Sequence, residues 1–350
     1  MSEIQKSDGH KYIQINEYGV ILDSQGPIKN PEEGLFYLEK MQADQGARLF
    51  TESLSGDELT VEAFDAPYVV LSLSEKNQKI IMHMSYEFHM EMPLDHLFLD
   101  DWDRFHGVSH KGVPFVLTGD AQNQLFDLLD EFDDDFIIYK NKKYRTPNWL
   151  VDRTDVNADD FWTNRYVQST PPWELNEATP ALTGVLPQLK LTKLRVIVLG
   201  SGSGCDAAYL AERGHIVTAV DFSDEALRQA KEKYGHINNL EFVKADIFEL
   251  PDSYKESFDL VFEHTCYCAV SPQRRNDLVK VWKGLLSEGG HFLGVFFTRY
   301  FPKGPPYGGN EWEYRKRLEP NFKTLYWTRW RQSVSDRQGI ELVVYAQKKG

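Results

Sequence analysis

Residues 196–204 read Val-Ile-Val-Leu-Gly-Ser-Gly-Ser-Gly, and the next apolar run closes on an acid, Asp221. A β-branched run, a turn with three glycines and a second run ending in a carboxylate constrain the fold more than any other feature of this chain. Val196 to Leu199 predicts a buried parallel strand. The glycines let the backbone turn sharply and let a ligand approach bare peptide groups. Asp206 to Arg213 reads as a helix with Ala207, Ala208, Leu210 and Ala211 inward and Gly214 as its stop. His215 to Val220 reads as the next strand, and Ser223 as the N-cap of a second helix with Asp224 and Glu225 in its first turn. Asp221 then stands just past a strand end, where open α/β sheets bind ligands and a carboxylate can accept from both hydroxyls of a ribose. Cys205 occupies the position that would complete a dinucleotide fingerprint, so the spacing points away from a nicotinamide cofactor and an oxidoreductase.

The downstream pattern repeats strand and helix. Leu240 to Val243 reads as a third strand, followed by Asp246 and Ile247, where an acid could meet an adenine amine. Phe258 to Phe262 reads as a fourth, running into Glu263-His264-Thr265-Cys266-Tyr267-Cys268. Asn276 to Leu286 reads as an amphipathic helix with Leu278, Val281, Trp282 and Leu285 on one face. Ser287 to Gly290 predicts a turn into a fifth strand, His291 to Phe297. Leu325 to Val334 and Ile340 to Gln347 read as two strands joined through Asp336-Arg337-Gln338-Gly339. The expectation is a doubly wound, mostly parallel, seven-stranded sheet with an antiparallel last strand.

Several motifs fall in order along this half: Phe161-Trp162-Thr163-Asn164-Arg165-Tyr166, Thr170-Pro171-Pro172-Trp173-Glu174, Leu199 to Asp206, Val220 to Ser223, Phe258 to Ala269, and Gly304-Pro305-Pro306-Tyr307. With them the chain resembles the class I S-adenosylmethionine-dependent methyltransferases over residues 155–350. Within these it is similar to the thiopurine methyltransferase superfamily, above all to its halide and thiol methyltransferase branch. The resemblance implies a lid, residues 161–174, whose aromatics Trp162, Tyr166 and Trp173 close over S-adenosylmethionine; aromatic faces attract a sulfonium cation once water is excluded. It also implies cofactor contacts at Arg165, at Gly200, Ser201, Gly202 and Gly204 of the loop, and at Asp221 and Phe222. Asp246, Ile247, Glu263 and His264 complete that set. His264, Tyr267, Arg299 and Tyr307 are the candidates for the acceptor pocket, and no catalytic base is assigned.

The chain departs from the family where Tyr166 stands for a usual tryptophan, where Pro172-Trp173 is followed by Glu174, and where Glu263-His264 replaces Asp-Tyr of the halide branch. The acceptor therefore stays open. A small soft nucleophile (a thiol, a thiopurine-like compound or a halide) would be methylated by in-line displacement with no obligatory general base, because such acceptors are already ionised. The alternatives are an oxygen, nitrogen or metalloid acceptor, or a cofactor-binding sensor without turnover.

Charge divides the chain. Of 53 acids and 39 lysines and arginines, residues 1–150 hold 27 and 13, so the whole net charge of −14 lies there and residues 151–350 are neutral. The expectation is an acidic α+β domain, residues 1–150, of unknown function, and a methyltransferase domain, residues 151–350, with the boundary in the polar stretch 141–160. An acidic surface repels nucleic acid and anionic membranes. No run is long and apolar enough for a membrane span, and no signal segment is read. Three cysteines, Cys205, Cys266 and Cys268, form no disulfide framework or zinc pattern, so a cytoplasmic location, ordinary thiols and no metal are expected.

Within the acidic part, Tyr12 to Asp23 reads as a hairpin around Glu17-Tyr18-Gly19. Pro31 to Asp44 reads as a helix with Leu35, Leu38 and Met41 inward, and Gln122 to Phe132 as a helix leading into Asp133-Asp134-Asp135. Ile80 to Met92 alternates apolar and polar residues strictly and predicts one long strand with a buried face. His83, Glu87, His89 and Glu91 share its other face, read as solvated since a metal would need ligands from an adjacent strand. The segments Ile15 to Ile28 and Val61 to Val70 resemble an uncharacterised bacterial α+β domain family, which implies no activity; a ligand or a protein partner is the expected role.

Overall fold

The computed structural model describes residues 11–133, 136–145, 154–168, 171–299, 301 and 304–350; Asp134, Asp135 and Thr170, named above, lie outside them. The chain forms two compact units, Met1–Val151 with Asn310–Trp312, and Asp152–Gly309 with Glu313–Gly350.

Among the described residues, the first unit holds one six-stranded, one four-stranded and two three-stranded sheets. Helices α1 (Pro31–Lys40) and α2 (Gly119–Leu128) accompany them. Asn30 caps α1 by accepting from Glu32 N, and Pro31 opens it. This helix stops at Lys40, earlier than read from the sequence, because Gln42 and Ala43 pair with Phe50 and Leu49. Likewise α2 ends at Leu128, and Glu131–Asp133 joins a sheet instead. The hairpin is present, with Ile15 opposite Ile21.

The long strand is not. Lys79–His83 and His89–Glu91 are antiparallel neighbours, with His83 opposite His89 and Met82 opposite Met90. The chain reverses at Ser85–Glu87, where Tyr86 has φ 59°. Tyr86 leaves the strand because its ring is received over Gly34 of α1, where a Cβ would stand 2.2 Å from it. Its hydroxyl accepts from Ile21 N at 3.1 Å and donates to Ile28 O at 3.0 Å. Ile80, Met82, Met84, Phe88 and Met92 are still buried, so the alternation marked the core face correctly and missed the fold-back. The reversal brings His83 Nδ1 to 2.9 Å from His89 Nδ1 and His83 Nε2 to 2.6 Å from Ser74 Oγ. Burial, then His89, pushes the His83 pKa down.

The second unit is built on seven strands: β1 (Arg195–Leu199), β2 (Ile216–Asp221), β3 (Leu240–Lys244), β4 (Phe258–His264), β5 (Leu286–Phe297), β6 (Phe322–Trp330) and β7 (Glu341–Lys348). Their order across the sheet is 3-2-1-4-5-7-6. The β1–β2, β2–β3, β1–β4 and β4–β5 pairs are parallel. The last strand, β7, is antiparallel to both β5 and β6, giving the mostly parallel seven-stranded sheet expected from the sequence. The segment read as a turn, Ser287 to Gly290, is the irregular start of β5, with a register shift between Phe258 and Leu260 of its neighbour. Both faces carry helices: α3 (Asp159–Gln168), α4 (Pro180–Leu189), α5 (Cys205–Glu212), α6 (Asp224–Tyr234) and α7 (Arg275–Leu285). Ser223 caps α6 by accepting from Ala226 N. The core beneath α7 is aromatic, with Trp282 fully buried and its ring 4.6 Å from that of Phe292. Among the described residues no helix is long and apolar enough to cross a membrane.

Candidate active site

The site starts where β1 ends. Gly200 and Gly202 adopt φ of 63° and 53°. A Cβ on Gly200 would meet Cys266 Sγ at 2.8 Å, and one on Gly202 would meet Glu174 Oε1 at 2.6 Å and the Tyr166 hydroxyl at 2.7 Å. Backbone conformation and crowding thus both require glycine there. Asp221, the last residue of β2, braces the loop: one carboxylate oxygen accepts from Gly202 N and the other from Ser223 N, each at 2.9 Å. It is only 8% exposed, and burial pushes its carboxyl pKa up against those two hydrogen bonds.

The lid is stitched to the same loop. Glu174 Oε1 accepts from Ser203 N at 3.1 Å and from the Tyr166 hydroxyl at 2.7 Å, and Glu174 Oε2 accepts from Ser203 Oγ. Trp173 Nε1 donates to the Tyr166 hydroxyl at 3.1 Å. The Trp173 ring stands edge-on to Trp162 at 5.6 Å and to Tyr166 at 6.1 Å. Burial, then the charge of Glu174, drives the Tyr166 phenol pKa upward.

These residues enclose a cavity of about 370 Å³, within the usual range for a small-molecule site. Trp162, Tyr166, Trp173, Gly200, Ser201, Gly202, Asp221, Phe222, Asp246 and Ile247 line it, together with His264 and Arg299. Cys266, Cys268, Phe297, Pro305, Pro306, Arg337 and Ile340 form further lining. Five sequence candidates are not in the lining. Arg165 lays its guanidinium 3.5 Å over the Phe161 ring and donates to Phe161 O. Gly204 is the residue before α5. Glu263 is buried behind the loop, with Oε1 accepting from Tyr267 N at 2.6 Å; burial pushes its pKa up to about 8. Tyr267 faces the aromatic core and donates its hydroxyl to Glu313. Tyr307 is buried, its backbone N–H bonded to Cys268 O.

His264 sits at the end of β4 with both ring nitrogens engaged. Nδ1 is 2.7 Å from Asp206 Oδ2, and Nε2 is 3.0 Å from Arg337 Nη1. Guanidinium has no lone pair, so Nε2 accepts from Arg337 and Nδ1–H donates to Asp206. Sequence reading passed over Asp206, Glu174 and Arg337 as site residues. Glu174 adjoins Trp173 in the lid motif and was findable there. Arg337 carried no signal, because it lies in a segment that reads as an ordinary strand connection.

Burial raises the Cys266 thiol pKa well above its ordinary value and that of Cys268 to about 12, so both stay thiols. Among the described residues no group of three or more His, Cys, Asp or Glu side chains is placed to hold a metal ion. The cavity does fit an adenosyl sulfonium ligand. The Ser201 hydroxyl is buried and has no hydrogen-bond partner among the described residues, the Asp221 carboxylate lies at a strand end, and aromatic rings line the lid side.

Comparison with known proteins agrees. A family model described as Thiopurine S-methyltransferase (TPMT) matches residues 157–345. "Probable thiol methyltransferase 2" of Arabidopsis thaliana is 28% identical over 190 residues, covering 53% of this chain and 83% of the relative. "Thiocyanate methyltransferase 1" of the same plant is 29% identical over 185 residues, covering 51% and 81%. "Thiopurine S-methyltransferase" of Shewanella loihica is 25% identical over 182 residues, covering 47% and 83%.

Proposed function

The chain belongs to the thiopurine S-methyltransferase family and is an S-adenosylmethionine-dependent methyltransferase of the thiol, thiopurine or thiocyanate type; on that premise we propose that it methylates a small soft nucleophile that reaches the cavity already ionised. S-adenosylmethionine, when bound, supplies an electrophilic methyl group on a sulfonium centre. Asp221 and Ser201 would hold its ribose and polar chain, Asp246 and Ile247 its adenine, and Trp162, Tyr166 and Trp173 its sulfonium side. Phe297, Pro305, Pro306, Cys268 and Arg299 would shape the acceptor end. In-line displacement by a soft anion neutralises charge, so the enzyme's task is to align the reactants and keep water out.

The observation that carries this reading is the state of His264. It is the only histidine among the described lining residues, and its basic nitrogen is already spent on Arg337. An alcohol acceptor would call for a general base at the reaction floor, a task most often given to histidine; a thiolate, thiocyanate or halide does not. The partner is thus a small molecule, and the acidic first unit is a candidate for a ligand or protein partner of its own.

Calorimetric titration with S-adenosylmethionine, with NAD as control, tests the cofactor half. Product identification after incubation with thiocyanate, iodide, an aromatic thiol, a phenol, an amine and arsenite tests the acceptor half. Methylated thiol, thiocyanate or iodide is the expected outcome. Exclusive methylation of oxygen, nitrogen or arsenic would overturn the soft-nucleophile reading, and tight cofactor binding with no product would favour a sensor.

A further inference from the structure

The geometry points to Arg337 as a positioning residue that latches the lid and occupies the Nε2 lone pair of His264, the only histidine among the described lining residues. This rests on the methyltransferase reading above. Arg337 lies in the connection between β6 and β7, in the turn Ser335–Arg337, and is 7% exposed. Its guanidinium ties three parts of the fold together. Nη2 donates to Trp173 O, in the lid, at 2.7 Å. Nη1 donates to His264 Nε2, at the end of β4, at 3.0 Å. Behind it, Glu341 Oε1 at the start of β7 lies 3.7 Å away, fully buried.

The link continues through His264. Its Nδ1–H donates to Asp206 in the first turn of α5, and the other Asp206 oxygen accepts from Thr179 N at 2.8 Å, just before α4. The segment 171–179, which carries Trp173 and Glu174 of the lid, is therefore held at Trp173 by Arg337 and at Thr179 by Asp206, with His264 joining the two holding points. Trp173 is also the ring that closes on Tyr166 and Trp162. One planar fork thus sets the height of the lid aromatics over the cavity and fills the lone pair of His264. A fork with fixed donor directions does this, and a lysine ammonium does not.

The test follows amide hydrogen exchange of residues 173–179, with and without S-adenosylhomocysteine, alongside cofactor affinity and kcat/KM. In Arg337→Gln and Arg337→Lys, protection of 173–179 is lost while β1, β4 and β5 stay protected. Their cofactor affinity falls roughly tenfold and kcat/KM by about 10- to 100-fold, since small misplacements of positioning groups are costly. If the Arg337 variants do not fold, a pair at His264 decides. His264→Gln can offer an oxygen near the Nε2 position and keeps the lid protected; His264→Asn reaches only the Nδ1 position and releases it. Equal lid protection in both His264 variants, or wild-type protection and affinity in Arg337→Gln, would overturn the latch. Absence of turnover in the wild-type protein would instead strike the methyltransferase reading, because lid protection is read without any acceptor.

Discussion

At one end of the cavity, Ser201, Gly202, Asp221 and Phe222 come from two consecutive strand ends. At the other, His264, Phe297, Arg299 and Arg337 arrive from the ends of β4 and β5 and from the β6–β7 connection. The first end is a local object. A β-branched run, a glycine turn and a strand-terminal acid are bound together by the hydrogen bonds from Gly202 N and Ser223 N to Asp221. The second exists only once the sheet order 3-2-1-4-5-7-6 is formed. The difference teaches why the proposed donor contacts can be read from the sequence and the proposed acceptor end cannot. The first are held together by neighbours along the chain, the second by a meeting of distant segments.

The largest effect that would break this contrast is at Asp221. Asp221→Ala is expected to weaken S-adenosylmethionine binding on the order of 100-fold, about 2.7 kcal/mol, in calorimetric titration. Unchanged affinity would remove the local donor site from the picture. Next is Glu174→Gln, which keeps one acceptor but loses the charge that holds Ser203 N–H, Ser203 Oγ and the Tyr166 hydroxyl. A drop in cofactor affinity of about tenfold is expected, with little change in acceptor KM; a change in acceptor KM alone would place Glu174 at the wrong end.

Glu263 sharpens the comparison through pH. Burial raises its native pKa from 4.5 to about 8, so between those values the native carboxyl keeps a proton that the unfolded chain has lost. Its stabilising contribution is full below pH 4.5 and declines as pH rises through 8, a change on the order of a few kcal/mol. Urea midpoints are expected to fall from pH 5 to pH 8 more steeply in the wild type than in Glu263→Gln; parallel profiles would contradict a buried neutral acid at Glu263. The smallest effect belongs to Tyr267→Phe. Its hydroxyl serves Glu313 in the core, so acceptor KM should not move while stability drops by about 1 kcal/mol. A shift in acceptor KM would return Tyr267 to the pocket.

Legibility followed the range of the forces involved. Period and capping located β1, β2, α5 and the start of α6 to within a residue or so, because strand burial and the Ser223 cap act among neighbours. The alternation from Ile80 to Met92 marked the buried residues correctly yet concealed a hairpin, since the Tyr86 ring is drawn out of line by a vacancy at Gly34, far off in the chain. Tyr267 and Tyr307 looked like pocket residues from their motifs, but both are buried outside the cavity lining, Tyr267 against the aromatic core. Arg337 was silent because its partners, Trp173 O, His264 and Glu341, lie in three other segments.

The position of β7 has a further consequence. Because β7 runs antiparallel between β5 and β6, with Glu341 opposite both Phe297 and Trp330, the connection that precedes it must return to the edge where the parallel strands finish. That connection carries Arg337, which bonds Trp173 O and His264. The closing hairpin of the unit is thereby pinned to a segment near its beginning, so the two ends of this stretch of chain take their final places together.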